Sequence, residues 1–268
     1  MYVIISYCIK NYYNPEETGQ PLVSDCESIY NIIDWNMVLR SGAAGSAKLF
    51  YFREENTMAE YDVIIIGAGP GGIFAAYELA RLAPEMKVAV MEAGSPLEER
   101  KCPIDGKKVK SCIKCKTCAI MSGFGGAGAF SDGKYNITND FGGTLYEYIG
   151  REKAVELMEY VDKINVENGG QDTKMYSTAG TRFKKLCMQN KLKLLDASVR
   201  HLGTDINYIV LKNLYHRLKD KVEFRFHCRV DRLEKTGEGY KVWQGDNCDT
   251  CRECIVSVGR SGSKWMEE

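Results

Sequence analysis

The segment from Asp62 to Gly94 constrains the fold of this chain more than any other. It reads DVIIIGAGPGGIFAAYELARLAPEMKVAVMEAG. A short apolar run predicts a buried strand, the residues after the glycines predict a helix, and a second apolar run predicts a strand that ends in an acid. Such a βαβ unit predicts the α/β class with a parallel sheet.

Three glycines between the first strand and the helix, Gly67, Gly69 and Gly72, form a G-x-G-x-x-G pattern that encloses Pro70 and Gly71. The first glycine permits a tight turn, the second lets a pyrophosphate approach the backbone, and the third lets helix and strand pack closely. The helix N-terminus adds free N–H groups and a positive dipole end. The pattern therefore predicts a dinucleotide site.

An acid, Glu92, lies twenty residues beyond Gly72 and is followed by Ala93 at the end of the second strand. A carboxylate at this position can accept hydrogen bonds from both ribose hydroxyls of a bound dinucleotide. It also disfavours a ribose 2′-phosphate, which argues against NADP. NAD and FAD both remain open on these residues alone.

The same segment resembles the N-terminal signature of two-dinucleotide-binding flavoproteins. From about Tyr61 to Met266 the chain is similar to the bacterial FAD-dependent dehydrogenase/oxidoreductase family, whose mark here is GGAGAFSDGK. The resemblance implies a Rossmann-like FAD-binding domain with inserted helices and a β-hairpin region. It places a second glycine-rich loop beside the flavin, with the residues Gly125, Gly126, Ala127, Gly128, Ser131, Asp132, Gly133 and Lys134.

The resemblance also implies roles for later residues. Val230 corresponds to the position whose backbone meets the adenine edge, and Gly259 to a glycine that returns to the FAD site. The family motif RHLGTD contains His201, a candidate acid or base on residue type alone, with a purely structural histidine as the alternative. Members of the family continue beyond the end of this chain, so it resembles a C-terminally incomplete flavoprotein.

The resulting function is an FAD-dependent oxidoreductase that acts on a small-molecule substrate or electron acceptor, with NAD(P)H as a possible electron partner. Two alternatives stay open. One is an NAD-dependent Rossmann dehydrogenase that uses the same glycines and Glu92. The other is a non-catalytic module that binds FAD or a metal.

Four cysteines precede the second glycine loop: Cys102, Cys112, Cys115 and Cys118. Thiolates at this spacing can surround one zinc ion or an iron–sulfur cluster. A C-x2-C pair can instead form a redox dithiol beside a flavin, and buried thiols without chemistry are a third interpretation. A second triplet, Cys248, Cys251 and Cys254, repeats the step across an expected turn and strand start.

Several elements are expected after the loop. A helix is predicted over 143–165 and another after the sequence GTD. Strict alternation in VEFRFHCRV predicts a strand from Val222 to Val230, EKTGEGYKVW predicts a hairpin, and CIVSVG predicts a last strand.

Residues 1–57 show no sustained period and are expected to be a poorly ordered extension, with residues 58–268 as the FAD/NAD(P)-binding domain and 101–134 as an inserted cysteine- and glycine-rich loop. Arg53-Glu54-Glu55 can be encoded by a purine run resembling a ribosome-binding site. We therefore expect Met58 to be the natural start; a genuine variable tail is the alternative.

Charge excludes some partners. Thirty-six basic residues balance thirty-six acidic ones, so no global field attracts nucleic acid or an anionic membrane. No apolar run reaches the roughly 18 residues of a membrane span, and the first residues lack the features of a signal peptide. A cytoplasmic location with reduced cysteines is the expectation.

Overall fold

The computed structural model describes residues 60–267, so the expectations for residues 1–57 and for Met58 lie outside the described part. The strands are β1 (Tyr61–Ile66), β2 (Val88–Met91), β3 (Lys134–Ile137), β4 (Met175–Ser177), β5 (Ser198–His201), β6 (Glu223–Arg225), β7 (Arg232–Thr236), β8 (Gly239–Gln244) and β9 (Asn247–Val256). The helices are α1 (Pro70–Leu82), α2 (Tyr146–Ile149), α3 (Arg151–Asn165), α4 (Arg182–Gln189), α5 (Gly203–Leu218) and α6 (Ser263–Glu267). Within these described residues no helix has the length and apolar character needed to cross a membrane.

The larger sheet has the strand order β6-β2-β1-β9-β8-β7. β1 pairs in parallel with β2 on one side and with β9 on the other, and β6 extends the parallel part beyond β2. After β1 the chain thus adds β2 and β6 on one side of β1, and it later adds β9 on the opposite side. In open α/β sheets ligands bind outside the carboxyl ends of the strands at such a switch point. The predicted α/β, Rossmann-like fold is confirmed.

The first face of this sheet is covered by α1 and α5. Ile65 and Ile73 are fully buried there, with Leu214 of α5 almost so. Phe124, which precedes the second glycine loop, is also fully buried, and its ring lies 5.2 Å from that of Tyr215 and 5.7 Å from that of Phe224. The loop is therefore anchored in the main core.

The predicted hairpin is present as β7 and β8, which pair from Arg232 opposite Trp243 to Thr236 opposite Gly239. Val242 of β8 is fully buried and packs with Ile64 on the second face of the sheet. β8 then pairs antiparallel with β9, so the hairpin extends the parallel sheet with two antiparallel strands.

A second sheet of three antiparallel strands, in the order β3-β5-β4, lies outside the large sheet. Arg200 of β5 joins it to α3 through a two-pronged ion pair: its Nε lies 2.7 Å and its Nη2 2.9 Å from the carboxylate of Asp162. Both side chains are about nine-tenths buried, so the pair is shielded from solvent.

Three element predictions need correction. The helix expected over 143–165 is divided at Gly150, whose φ of 82° and ψ of 155° end α2 before α3 begins. The strand expected from Val222 to Val230 is shorter, because β6 ends at Arg225 and His227 has a positive φ of 55°. The second cysteine triplet lies wholly within β9, not across a turn.

Candidate functional site

The turn between β1 and α1 needs its glycines for different reasons. Gly67 has a φ of +103°, and a Cβ added there would lie 2.4 Å from the carbonyl oxygen of Ser257. A Cβ at Gly72 would lie 1.9 Å from the carbonyl oxygen of Gly67. A Cβ at Gly69 would have no protein atom within 4 Å. The first and last glycines serve packing, whereas Gly69 faces open space.

The N-terminus of α1 is available for an anion. Gly69 is the N-cap, no side chain caps the helix, and its first turn holds no acid. Pro70 has no N–H, and Gly71 and Gly72 lie in the first turn, where N–H groups have no intrahelical partner. With the positive end of the helix dipole, these groups form a site suited to phosphate.

Glu92 is buried and accepts three backbone hydrogen bonds. One carboxylate oxygen accepts from Ala68 N at 2.7 Å, and the other from Gly94 N and Gly123 N at 2.8 Å each. Since a carboxylate has about four acceptor positions, one is left for a ligand. Acceptance from both ribose hydroxyls, as expected from the sequence, would require sharing that position. Glu92 thus ties together the glycine turn, the end of β2 and the second glycine loop.

Arg100 holds the second loop from the opposite side. It is 6% exposed, and its guanidinium donates to the carbonyl oxygens of Ala119, Ile120, Phe124 and Gly126 at 2.7–2.9 Å. Burial lowers its pKa to about 10. Four converging carbonyl dipoles stabilise the buried cation, and the cation fixes the path of residues 119–126. Sequence patterns missed this residue because it lies in the charged run LEERK, which resembles a solvated surface.

The second glycine loop lies directly on the turn. Gly125 N donates to Ala68 O at 2.8 Å, and a Cβ at Gly126 would lie 3.1 Å from the Cα of Gly69. Residues Gly126–Phe130, which include Ala127 and Gly128, form a short 3₁₀ helix. The loop thus runs from Glu92 to the glycine turn.

Residues Ser131 to Lys134 carry the loop into the small sheet. Ser131 Oγ accepts from Gly133 N at 3.2 Å, and Leu202 N donates to Gly133 O at 3.0 Å. Asp132 and Lys134 form an exposed ion pair of 2.8 Å. The lysine, and to a lesser degree His201, lowers the pKa of Asp132. His201, the predicted acid or base, lies in β5 and is paired with Lys134 of β3. It is exposed and lies near this ion pair.

Asn207 was not predicted from the sequence. It is 2% exposed, and its side-chain amide donates to Gly128 O at 2.9 Å. Its carbonyl oxygen accepts from the Tyr135 hydroxyl at 3.1 Å. Asn207 thereby fixes the far end of the loop to α5. An asparagine in a helical pattern gives no sequence signal of such a long-range bond.

A cavity of about 360 Å³ opens beside the end of β2. Its walls come from three segments: the residues after Glu92, the cysteine-bearing loop, and the chain after β6. The lining residues are Ala93, Gly94, Ser95, Lys116, Thr117, Ala119, Ser122, His227 and Arg229. His227 N donates to Gly94 O at 2.9 Å, which holds the last segment against the first.

Two expected site residues lie at the margins. Val230 is buried in the core beyond this wall and does not line the cavity. Gly259 follows β9 with a φ of +65°, and a Cβ there would have no neighbour within 4 Å. Gly259 lies two residues after Ser257, whose carbonyl oxygen faces Gly67 where β1 and β9 end side by side.

The four cysteines of the first set do not converge. Cys112 and Cys115 are exposed, Cys102 and Cys118 are partly buried, and all four are free. In the part of the chain that the structure describes, no three histidine, cysteine, aspartate or glutamate side chains are placed to hold a metal ion. The expected four-thiolate shell is thus not formed among the described residues.

The second cysteine triplet is also without a metal-binding arrangement. Cys248 is exposed, whereas Cys251 and Cys254 pack in the same hydrophobic cluster on the second face of the sheet. Their thiols are hydrogen-bonded, which lowers the pKa of Cys251 and raises that of Cys254. This contact pairs a buried thiol with a partly buried one within β9.

Comparison with known proteins gives a local sequence match. The model of the Thi4 family matches residues 48–96, which include the first βαβ unit. Thiamine thiazole synthase of Yarrowia lipolytica is 36% identical over 78 residues, 29% of this chain and 25% of that protein. The Phaeosphaeria nodorum synthase is 54% identical over 44 residues, 16% of this chain and 13% of its own. The chain thus spans a quarter or less of these relatives.

Solved structures align over more of the chain at low identity. Glycine oxidase from Geobacillus kaustophilus aligns with a TM-score of 0.43 and 14% identity, covering 78% of this chain and 59% of its own. A 3-ketosteroid-Δ4-(5α)-dehydrogenase from Rhodococcus jostii RHA1 aligns with a TM-score of 0.44 and 17% identity, covering 75% and 46%.

Proposed function

We propose that this chain is the dinucleotide-binding part of an FAD-dependent oxidoreductase. The observation that carries the proposal is the docking of two glycine loops at the switch point. Gly69 faces open space at an uncapped helix N-terminus, while Gly125 bonds to Ala68 and brings the second loop alongside. This geometry suits a pyrophosphate held between two stretches of closely approaching backbone.

The residues present fit the rest of such a group. Glu92 retains one acceptor position, which suits a ribose hydroxyl. The buried Ser257 Oγ, next to the turn, has no hydrogen-bond partner in the structure and could bond to a ligand. The cavity beside Ala93 is large enough for an adenosine end. These features support a dinucleotide, and the titrations described below separate FAD from NAD.

A bound flavin would supply the redox chemistry, and the chain would bind and orient it. We propose His201, at the exposed end of β5, as the residue that exchanges a proton with a small-molecule substrate or electron acceptor. Asp132 of the second glycine loop is its acidic neighbour, because β5 pairs His201 with Lys134 of β3. NAD(P)H is a candidate electron partner. The match to thiamine thiazole synthases is confined to the first βαβ unit, so neither a substrate nor a reaction is transferred from them.

Gly69 allows binding to be separated from folding. A Cβ there meets no protein atom, so Gly69→Val should leave the melting temperature unchanged but fill the space needed by the pyrophosphate. We expect the dissociation constant for FAD to rise at least tenfold. Quenching of flavin fluorescence on binding to the 268-residue chain measures it. Gly237→Val is the matched control. A Cβ at Gly237 is also in open space, but this glycine lies in the β7–β8 turn and not in the β1–α1 turn.

The same titration with NAD decides between the two cofactors. Binding of FAD that Gly69→Val weakens supports the proposal. Binding of NAD alone, with the same dependence on Gly69, would replace it by the NAD-dependent alternative. Equal FAD affinity in both variants would show that the turn is not the pyrophosphate site.

A further inference from the structure

The connection between β4 and β5 leaves the small sheet and returns to the same place. Thr178 N donates to Ala197 O at 3.0 Å, and Ala197 N donates to Thr178 Oγ1 at 2.9 Å. Residues 179–195, here named the basic arm, are therefore closed off at their base. They contain α4, and none of its eight residues, all described by the structure, is buried.

The basic arm exposes large apolar side chains to solvent. Phe183 is 55% exposed, Met188 71% and Leu192 63%, and Leu186 is also largely exposed. A helix of eight residues is far below the length at which isolated helices are stable in water, and α4 gains almost no tertiary packing. An apolar surface of this kind marks a site of association.

Charge in the arm is of one sign. It holds five cations and no acid; the cations are Arg182, Lys184, Lys185, Lys191 and Lys193. Lys184 forms an ion pair of 2.5 Å with Asp196, just outside the arm. The balanced net charge of the whole chain thus conceals a local positive segment, which favours an anionic partner.

Three of the four apolar residues of α4 share one side of the helix, and Met188 lies on the other side, between Lys184 and Lys185. At 100° per residue, Phe183, Leu186 and Cys187 fall within one arc of about 100°. Arg182 and Lys184 flank this arc. A helix with an apolar face bordered by lysine and arginine lies in the interface of a membrane, with the apolar side chains among the acyl chains and the cations at the headgroups.

We propose that the basic arm binds the surface of an anionic lipid bilayer. A second copy of this chain would bring five cations against five and is disfavoured by charge. Nucleic acid would satisfy the cations but leave the aliphatic side chains of Leu186, Met188 and Leu192 in water. The lipid surface accommodates both groups at once. Each lysine or arginine near such a surface contributes about 1 kcal/mol.

The test is co-sedimentation of the 268-residue chain with vesicles. We expect binding to vesicles of phosphatidylglycerol and phosphatidylcholine, little binding to phosphatidylcholine alone, and weaker binding as salt is raised. The double variant K185E/K191E should lower the partition coefficient by at least about 30-fold, which corresponds to the loss of two such attractions. The matched control K219E/K221E changes the same charge at two exposed lysines after α5 and should retain most of the binding.

A second measurement detects insertion of the apolar face. In Phe183→Trp, the added fluorescence should shift to shorter wavelength with anionic vesicles and be quenched by brominated acyl chains. The proposal would be overturned if K185E/K191E bound vesicles as well as the parent. It would also be overturned if K185E/K191E and K219E/K221E bound vesicles equally. The absence of vesicle binding would overturn it as well. Tighter binding to single- or double-stranded DNA than to vesicles would assign the arm to nucleic acid instead.

Discussion

Arg100 shows how one side chain can hold a loop in place. Its guanidinium reaches four carbonyl oxygens that lie on both sides of it, between residues 119 and 126. Five donors in a planar fork make this possible, whereas an ammonium presents its donors from a single point. The charge alone is therefore not sufficient for the role.

Arg100→Lys should lower the free energy of unfolding by about 2–4 kcal/mol, because buried carbonyl groups lose their donors. Urea denaturation measures the change. Arg252→Lys is the control: Arg252 is 58% exposed and makes an ion pair of 3.3 Å with Asp62, so the replacement should alter stability by no more than about 0.5 kcal/mol. Equal effects in the two variants would contradict an organising role for Arg100.

Cys228 makes stability depend on alkaline pH. The thiol is buried, donates to Gln244 Oε1 at 2.8 Å, and has a pKa raised to about 11 by burial. Between about pH 9 and 11 the unfolded chain loses this proton while the folded chain keeps it, so the free energy of unfolding falls as pH rises. Below pH 9 the group has no such effect.

The contribution of Cys228 is isolated by difference. Denaturation of the parent and of Cys228→Ala across pH 8–11 should show a steeper decline in the parent. Parallel curves would mean that the thiol titrates alike in both states. The comparison removes the background from tyrosines and lysines that titrate in the same range.

Helices and strands were predictable where local pattern decides them. The βαβ unit and the β7–β8 hairpin follow from apolar runs and turn residues close in sequence, and both are confirmed. The sheet of β3, β4 and β5 was not predicted, since its strands are short and β3 pairs with β5 across more than 60 residues. Arg100 and Asn207 were missed because their partners are distant backbone carbonyls.

Gly150 explains the divided helix. Apolar periodicity continues across it, but its φ of 82° and ψ of 155° lie outside the helical region and are rarely adopted by other residues. Gly150→Ala should therefore cost about 1–2 kcal/mol despite open space around the added Cβ. Gly237→Ala, with equal space and no positive φ, should change stability little. Thermal denaturation of both variants measures the difference; equal melting temperatures would show no backbone strain at Gly150.

Stability should be unequal across the described part of the molecule. β1 lies between two parallel strands, and four of its six residues are at most 2% exposed. The basic arm contributes nothing to the buried core. Amides of β1 and β9 should exchange with deuterium only through global unfolding, and those of the arm through local opening at a much lower free energy. Mass spectrometry of peptides from a native-state exchange series provides the measurement.

Slow exchange throughout the basic arm would show that it packs on another part of the chain in solution. Addition of anionic vesicles gives a further comparison with the same readout. There the arm should gain protection while β1 and β9 remain unchanged.

The position of Glu92 has a consequence for redesign of cofactor preference. An acid at the end of the second strand is the usual target for such work, on the assumption that it addresses only the ligand. Here its carboxylate accepts backbone bonds from Ala68, Gly94 and Gly123, which belong to three separate segments. A basic replacement would lose all three bonds, and a glutamine would keep only those of its one oxygen. Selection for a folded chain is therefore sufficient to retain an acid here, whichever dinucleotide is bound.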